Sequence, residues 1–513
     1  MDKNQIKQST VVLMSIILLA KLTGMFRDVV LANYFGTTNV SDAYLIAVSV
    51  PTLLFYFVGH ALSTAFLPMF NKVRFKQGID SALKYSNSLM VVSLMVCLVI
   101  VIMLTLFPSY FVRVFANGFD EETVVLTSKY IRTSSVCLLI MTVINIFTGF
   151  LQANSNFVVP AMVSFPRNIV FIISIIIAAK TNAYILGFGI LFAYFSEFCL
   201  LFPFVLKNGY RFNLGLDFRS TEMKETLNVV IPIFIGVGVS QINKVVDKSI
   251  ASTVITGGIS ALSYAAIINN AVQEVIVTGI ITVLFARCSS WVAEEKHETV
   301  KEKLSETIQT LSLLLVPASF GVIALSKLIV DCVFSRGAFN SSSVNMTAGA
   351  LCCYTVGLCF LAVRDTLIKV FYAYKETRIT TITSVFSIIV NIVLNIILSR
   401  IWGINGLAIA TSIAAIVQCS ILYVVLRRKI GDYGLSTQLS SWIRIIVASI
   451  LMFVIVSFAV RWLGMIGVSR LLQLVIGVLC GACVYMIVVL LFRVPIALKG
   501  INSLYVRFNH QRH

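Results

Sequence analysis

Polar residues in this chain gather into short groups that separate long, nearly uninterrupted apolar runs. Fourteen runs are long enough to cross the roughly 30 Å hydrocarbon core of a bilayer as helices. They cover residues 9–29, 40–68, 88–112, 128–152, 157–179, 183–206, 226–250, 257–286, 307–333, 345–373, 379–400, 404–426, 441–461 and 471–493. Within a run the apolar positions are continuous rather than alternating. That pattern excludes outer-membrane strands and predicts helices, which satisfy their backbone groups within the segment.

The first two runs have the most irregular polar content. Lys21, Arg27 and Asp28 interrupt the first, and a Gly-Thr-Thr-Asn turn at 36–39 follows. Ser41 and Asp42 stand where the second helix is expected to be capped, and Pro51 is expected to break that helix. Ionisable residues inside a membrane span are costly and usually face a polar cavity or a partner. The stretch from Lys21 to Pro68 is therefore where function is sought.

Composition agrees with this reading. Hydrophobic residues make up 58% of the 513 and charged residues 12%, with a mean hydropathy of +0.95. A soluble globule keeps about a quarter of its residues charged, so the chain is expected to be an all-α polytopic membrane protein. The net charge of +18 lies mostly in short loops, where it sets topology rather than recruiting nucleic acid. Lys72, Arg74, Lys76 and Lys84, and later Arg427 to Lys429, fall on one side of the alternating loops; Asp120 to Glu122 falls on the other. Both termini are accordingly expected in the cytoplasm of a bacterial inner-membrane protein. Lys3 and Lys7 before an apolar run imitate a signal peptide, but no small-residue cleavage site follows, so the run is expected to remain as the first span.

The eleven cysteines, among them Cys97, Cys137, Cys199, Cys352 and Cys353, lie in apolar segments without metal-like spacing. They are expected to act as small buried hydrophobes. The four histidines (His60, His297, His510 and His513) form no catalytic constellation, and no metalloprotease, hydrolase or phosphate-loop motif is present. A transporter is expected, not an enzyme.

Two echoes six spans apart suggest internal repetition. LQANSN near residue 151 and YAYKET near residue 372 each join consecutive spans through a very short loop. Arg27-Asp28, Gly36 and Asp42 to Tyr44 are echoed by Asp247-Lys248, Gly257-Gly258 and Ser260 to Tyr264. The expected organisation is two six-span lobes, 1–207 and 208–429, followed by two extra spans and a tail at 430–513. Repeated lobes with a site between them are a transporter architecture.

Cations in a low-dielectric cleft suit an anionic cargo such as a diphosphate. Lys21, Arg27 and Asp28 on the first span are the leading candidates. Lys244, Asp247 and Lys248 on the seventh and Arg364, Asp365 and Lys369 on the tenth are also intramembrane, with Lys248 and Lys369 read as snorkelling to the interface. Asn391 and Asn395 share a helical face, and Thr411 lies on the next span. With Asp247, their oxygens form a candidate small-cation site; interhelical hydrogen bonding is the plainer role for the same residues.

The motifs GMFRDVVLANYFG, SDAYLIAVSVP, ALSTAFLP, LQANSNF, VDKSIAS, VFSRGAFN and INGLAIATSI resemble the MurJ (MviN) family of lipid II flippases. That family lies in the multidrug/oligosaccharidyl-lipid/polysaccharide exporter superfamily. The resemblance implies two lobes around a cationic cavity that opens to each side in turn, carrying a lipid-linked cell-wall precursor to the outer leaflet. It implies substrate contacts at Lys21, Arg27, Asp28 and Asp42, and a sodium site at Asp247, Asn391, Asn395 and Thr411. Na+ or H+ is expected as coupling ion, with no other cofactor. The expected partners are lipid II or a similar lipid-linked glycan, membrane lipids and cell-wall synthesis enzymes, for a chain acting as a monomer. Two cations that the resemblance implies are absent: Phe55 and Tyr56 follow Pro51, and Ile267 stands on the eighth span. Flippases for capsule, exopolysaccharide or O-antigen precursors, a cation-coupled multidrug exporter and a non-transporting assembly subunit remain as alternatives.

Overall fold

A computed structural model describes residues 3–212 and 221–499. Every regular element among them is an α-helix. Packing divides the chain into two compact units: residues 1–260 with 336–339, and residues 261–335 with 340–513.

The first unit holds α1 (Lys3–Phe35), α2 (Asn39–Gln77), α3 (Ile79–Leu106), α4 (Pro108–Phe115) and α5 (Glu121–Ser134). It continues with α6 (Cys137–Ala153), α7 (Val158–Met162), α8 (Ser164–Lys180), α9 (Ile185–Lys207) and α10 (Thr221–Val254). α11 (Gly258–Ala293) begins at its edge. The second unit contains most of α11, then α12 (His297–Phe334), α13 (Ser341–Val356), α14 (Leu358–Ala373) and α15 (Thr377–Trp402). α16 (Ile404–Ile430), α17 (Leu435–Met465) and α18 (Arg470–Leu491) complete it. α10 packs on α2, so the compact unit runs past residue 207; this grouping by packing is a different partition from the expected repeats.

Among the described residues, nine helices are long and apolar enough to cross a membrane, or up to twelve if each of three bent pairs is one span. The expected first and seventh spans correspond to α1 and α10, helices of 33 and 34 residues that carry the charges noted above. Exposed side chains such as Met95, Val99 and Ile102 on α3 and Leu472, Val475 and Leu479 on α18 are apolar because their solvent is hydrocarbon. Cys199, expected to be buried, is exposed on α9 for the same reason. Cys97 and Cys137 are buried, and Cys352 and Cys353 are partly so.

The structure corrects three expectations about helix continuity. First, α2 runs unbroken through Pro51 and Pro68. Ser49 and Thr52 flank Pro51 and donate to the carbonyls of Leu45 and Val48, whereas the carbonyl that Pro51 leaves without its amide is that of Ala47. Second, the cap of α2 is Thr38, not Ser41 or Asp42. Ser41 sits at the third helical position and its hydroxyl accepts from the Thr38 N–H at 2.9 Å, closing a capping box. Third, the fourth and tenth spans are each bent, by 43° between α5 and α6 and by 44° between α13 and α14. At the second bend the Ser412 hydroxyl inserts from α16, accepting from the Gly357 N–H at 3.1 Å and donating to the Cys353 carbonyl at 2.7 Å. A Cβ on Gly357 would meet Ser412 at 2.8 Å, so only glycine admits that hydroxyl.

The turn echo is geometric as well as sequential. Ser155 and Lys375 both lie in the left-handed region, at φ 63° and 61°. In the first turn the Asn156 N–H donates to the Leu151 carbonyl at 2.9 Å. In the second the Glu376 N–H donates to Phe371 at the same distance. Each is a Schellman ending that reverses the chain between two spans.

One end of the first unit is closed by main-chain contacts. The Ala338 N–H donates to the Asn33 carbonyl at 2.8 Å, and the Gly118 N–H donates to the Ser252 hydroxyl at 2.9 Å. Gly36, Gly257 and Gly337 have φ of 56°, 79° and 57°. A Cβ on them would meet the carbonyl oxygens of Ala338, Thr37 and Asn33 at 2.5, 2.3 and 2.3 Å, respectively. These three glycines let the segments touch backbone to backbone.

Candidate functional site

α1 packs along α7 and α8, and the groove between them widens into a cavity of about 420 Å³. Lys21, Gly24 and Arg27 contribute from α1, and Ser164, Arg167 and Asn168 from α8. Asn168 pins the two helices together beside the cavity: its Nδ2 donates to the Thr23 hydroxyl at 3.0 Å, and that hydroxyl donates to the Ala20 carbonyl at 2.8 Å. The expected candidates Lys21 and Arg27 thus share one cavity, and a third cation, Arg167, joins them.

Each arginine is held from behind. Arg27 donates from Nε and Nη2 to the same oxygen of Asp28, at 3.0 and 2.8 Å, and its guanidinium lies 5.4 Å from the centre of the Phe171 ring. Arg167 pairs through Nη1 with Glu197 of α9 at 2.9 Å, and its guanidinium lies 5.7 Å from the Tyr194 ring. Phe171 and Tyr194 meet edge to face at 6.4 Å. Removing Arg167 would leave the buried Glu197 carboxylate without its counter-charge. The arrangement presents cations to a polar cavity and keeps their carboxylates behind them, which is the chemistry of an oxyanion receptor.

Asp28 is buried beneath Arg27 and reaches the cavity only through it. Asp42 does not line the cavity. It is 1% exposed, and its carboxylate accepts from the Gly257 N–H at 2.9 Å and the Ser260 N–H at 2.8 Å. There it caps the start of α11, satisfying amides that a helix N-terminus leaves open. Lys248 donates to the Ser49 hydroxyl, and Lys244 lies 5.7 Å from the ring of Tyr56. Tyr56, standing where a cation was implied, therefore faces one.

The candidate ion ligands fall into both units. In the second, the Asn395 Nδ2 donates to the Asn391 Oδ1 at 3.0 Å, and the Asn391 Nδ2 reaches the Thr411 hydroxyl at 3.5 Å. Both asparagines are buried, and the three residues form a polar ladder between α15 and α16. Asp247 belongs to the first unit, where it accepts from Asn243 at 3.3 Å. Among the described residues, no group of three or more His, Cys, Asp or Glu is placed to hold a metal. Arg364 and Asp365 on α14 repeat the Arg27–Asp28 bond, at 2.9 and 2.7 Å.

Sequence reasoning passed over Arg167 and Glu197. Both fall near the middle of predicted spans, so the signal that singled out Arg27, an ionisable residue in an apolar run, was present for them too.

The family description "Lipid II flippase MurJ" matches residues 31–477. A protein from Thermosipho africanus named lipid II flippase MurJ is 28% identical over 432 residues, covering 83% of this chain and 87% of its own length. A probable lipid II flippase MurJ from Rhizobium tropici is 26% identical over 506 residues, covering 96% and 94%. Among solved structures, a lipid II flippase MurJ in an inward closed conformation superposes with a TM-score of 0.80 at 25% identity, covering 94% of this chain and 99% of that one. An inward-facing multidrug resistance transporter of the MATE family, at 14% identity and a TM-score of 0.68 over 83% of this chain and 98% of its own, shares the fold. An integral membrane transporter built of apolar helices is what these matches describe, and the chain belongs to the MurJ family of lipid II flippases.

Proposed function

We propose that this protein flips lipid II, a polyprenyl-diphosphate-linked cell-wall precursor, from the inner to the outer leaflet by alternating access. The observation that carries the reading is the shared cavity of Lys21, Arg27 and Arg167. A diphosphate offers several acceptor oxygens, and a planar guanidinium engages them bidentately where an ammonium cannot. The same cations disfavour export of organic cations. In this reading residues 1–207 and 208–429 are the two lobes, and 430–513 adds the two final spans and a cytoplasmic tail. A monovalent cation, Na+ or H+, supplies the drive. Asp42 is assigned to the helix junction at Gly257 rather than to the cargo.

The test is rescue of a bacterial strain depleted of its own lipid II flippase, with expression of each variant verified. The parent chain rescues, Arg27→Ala does not, Arg27→Lys rescues in part, and Lys21→Arg is tolerated. A well-expressed parent that fails to rescue would transfer the cargo to another lipid-linked glycan. Normal rescue by Arg27→Ala would place the anion clamp elsewhere.

A further inference from the structure

We propose that Arg167 is the second guanidinium of a two-arginine receptor for a diphosphate ester, with Glu197 and Tyr194 as its positioning residues. The inference rests on the reading above and deepens it, because it assigns the selectivity of that cavity for two linked phosphoryl groups over one.

Arg27 and Arg167 are built alike although they come from different helices. Each guanidinium lies against an aromatic ring, Phe171 for the first and Tyr194 for the second, and those rings touch. Each is tied to a carboxylate that is more buried than itself. The Arg27 side chain is 25% exposed and that of Asp28 11%; the Arg167 side chain is 28% exposed and that of Glu197 4%. Here the anion is hidden and the cation is left facing the cavity.

The donors are also left over. A guanidinium carries five N–H groups. Asp28 accepts from Nε and Nη2 of Arg27; on Arg167, Nη1 is held by the ion pair with Glu197 and Nη2 donates to the Ser164 hydroxyl at 3.3 Å. Arg27 keeps Nη1, and Arg167 keeps Nε, for a ligand. One guanidinium can chelate one phosphoryl group. Two of them on opposing helices of one cavity, with Lys21 beside them, fit two phosphoryl groups joined through a bridging oxygen. A monophosphate can occupy only one at a time.

The experiment uses the full-length protein in lipid nanodiscs, titrated with a polyprenyl diphosphate and with the polyprenyl monophosphate of equal chain length. The parent prefers the diphosphate. Arg167→Gln weakens diphosphate binding tenfold or more and monophosphate binding by less than threefold, so the preference collapses. Arg167→Lys recovers part of it. Glu197→Gln, which keeps the shape but releases the guanidinium, lowers the preference severalfold. The double variant Arg167→Gln with Glu197→Gln removes both charges together and leaves none orphaned, so it separates recognition from folding; it too loses the preference. A folded double variant with the parental preference would overturn the proposal. If Arg27→Ala loses diphosphate binding while the Arg167 variants keep it, the two-arginine receptor fails and the proposed function stands. If the parent binds both lipids alike, the two-arginine receptor fails and the proposed function stands on rescue; if it binds neither, both fall. An unchanged preference in Glu197→Gln would remove the positioning role.

Discussion

Replacing Asp42 by alanine separates a structural role from a substrate role in one residue. Its carboxylate is buried and satisfies two backbone N–H groups, those of Gly257 and Ser260. Each buried N–H deprived of its acceptor costs about 1–3 kcal/mol, and loss of a negative charge at a helix N-terminus adds up to about 1 kcal/mol. Asp42→Ala should therefore destabilise the first unit by about 2–7 kcal/mol. Asp42→Asn retains one acceptor oxygen and should lose about 1–3 kcal/mol. Cys97 and Cys137 are buried free thiols in the same unit, so their reaction with a fluorogenic maleimide during heating reports its unfolding in detergent. The midpoint should fall in the order parent, Asn, Ala. Below those midpoints, diphosphate-lipid binding should match the parent, because Asp42 is not among the residues lining the cavity. A parental midpoint for Asp42→Ala together with lost binding would refute this reasoning and return the residue to the cargo.

Other outcomes follow from the same geometry. Ser155→Gly and Lys375→Gly relieve left-handed backbone at two span-reversing turns and should each raise stability by about 0.5–1 kcal/mol, read as a higher unfolding midpoint; a lower midpoint would show that the side chain contributes more than the strain costs. For the coupling ion, Asp247→Asn and Asn391→Ala should each abolish the dependence of transport on the cation gradient in proteoliposomes, and a retained dependence in both would dismiss the expected ligand set. For orientation, single cysteines placed at 120–122 and 341–343 in a cysteine-free background should react with an impermeant reagent from outside, and those at 72–84 and 427–429 should not. Outside labelling of the 72–84 loop would invert the topology.

Much of the fold was legible because the bilayer restricts the choices: a long uniform apolar run is a helix whatever its neighbours are. The turn at Ser155 and its echo at Lys375 were readable as a repeat because a chain reversal in so few residues has one economical backbone solution. The continuity of α2 was not readable. Proline predicts a break from local rules, yet the helix continues through both Pro51 and Pro68. The bend at Gly357 depends on Ser412, 55 residues away. Arg27 was singled out as an ionisable residue in an apolar run, a signal that Arg167 and Glu197 shared. Arg167 and Glu197 lie on separate helices, and their meaning exists only as a pair. Asp42 was expected to cap α2 and, by resemblance, to meet the substrate; its partners are main-chain amides at the start of α11, which carry no signature in sequence.

The glycine contacts at the closed end of the first unit reverse the usual logic of an alanine scan. At Gly36, Gly257 and Gly337 there is no side chain to remove, and a substitution to alanine is an addition. The new methyl would be driven into the carbonyl oxygens of Ala338, Thr37 and Asn33. A scan would flag all three positions as essential, and a ligand would be sought beside them. The loss would instead measure the thickness of one carbon atom wedged between segments that meet at bare backbone.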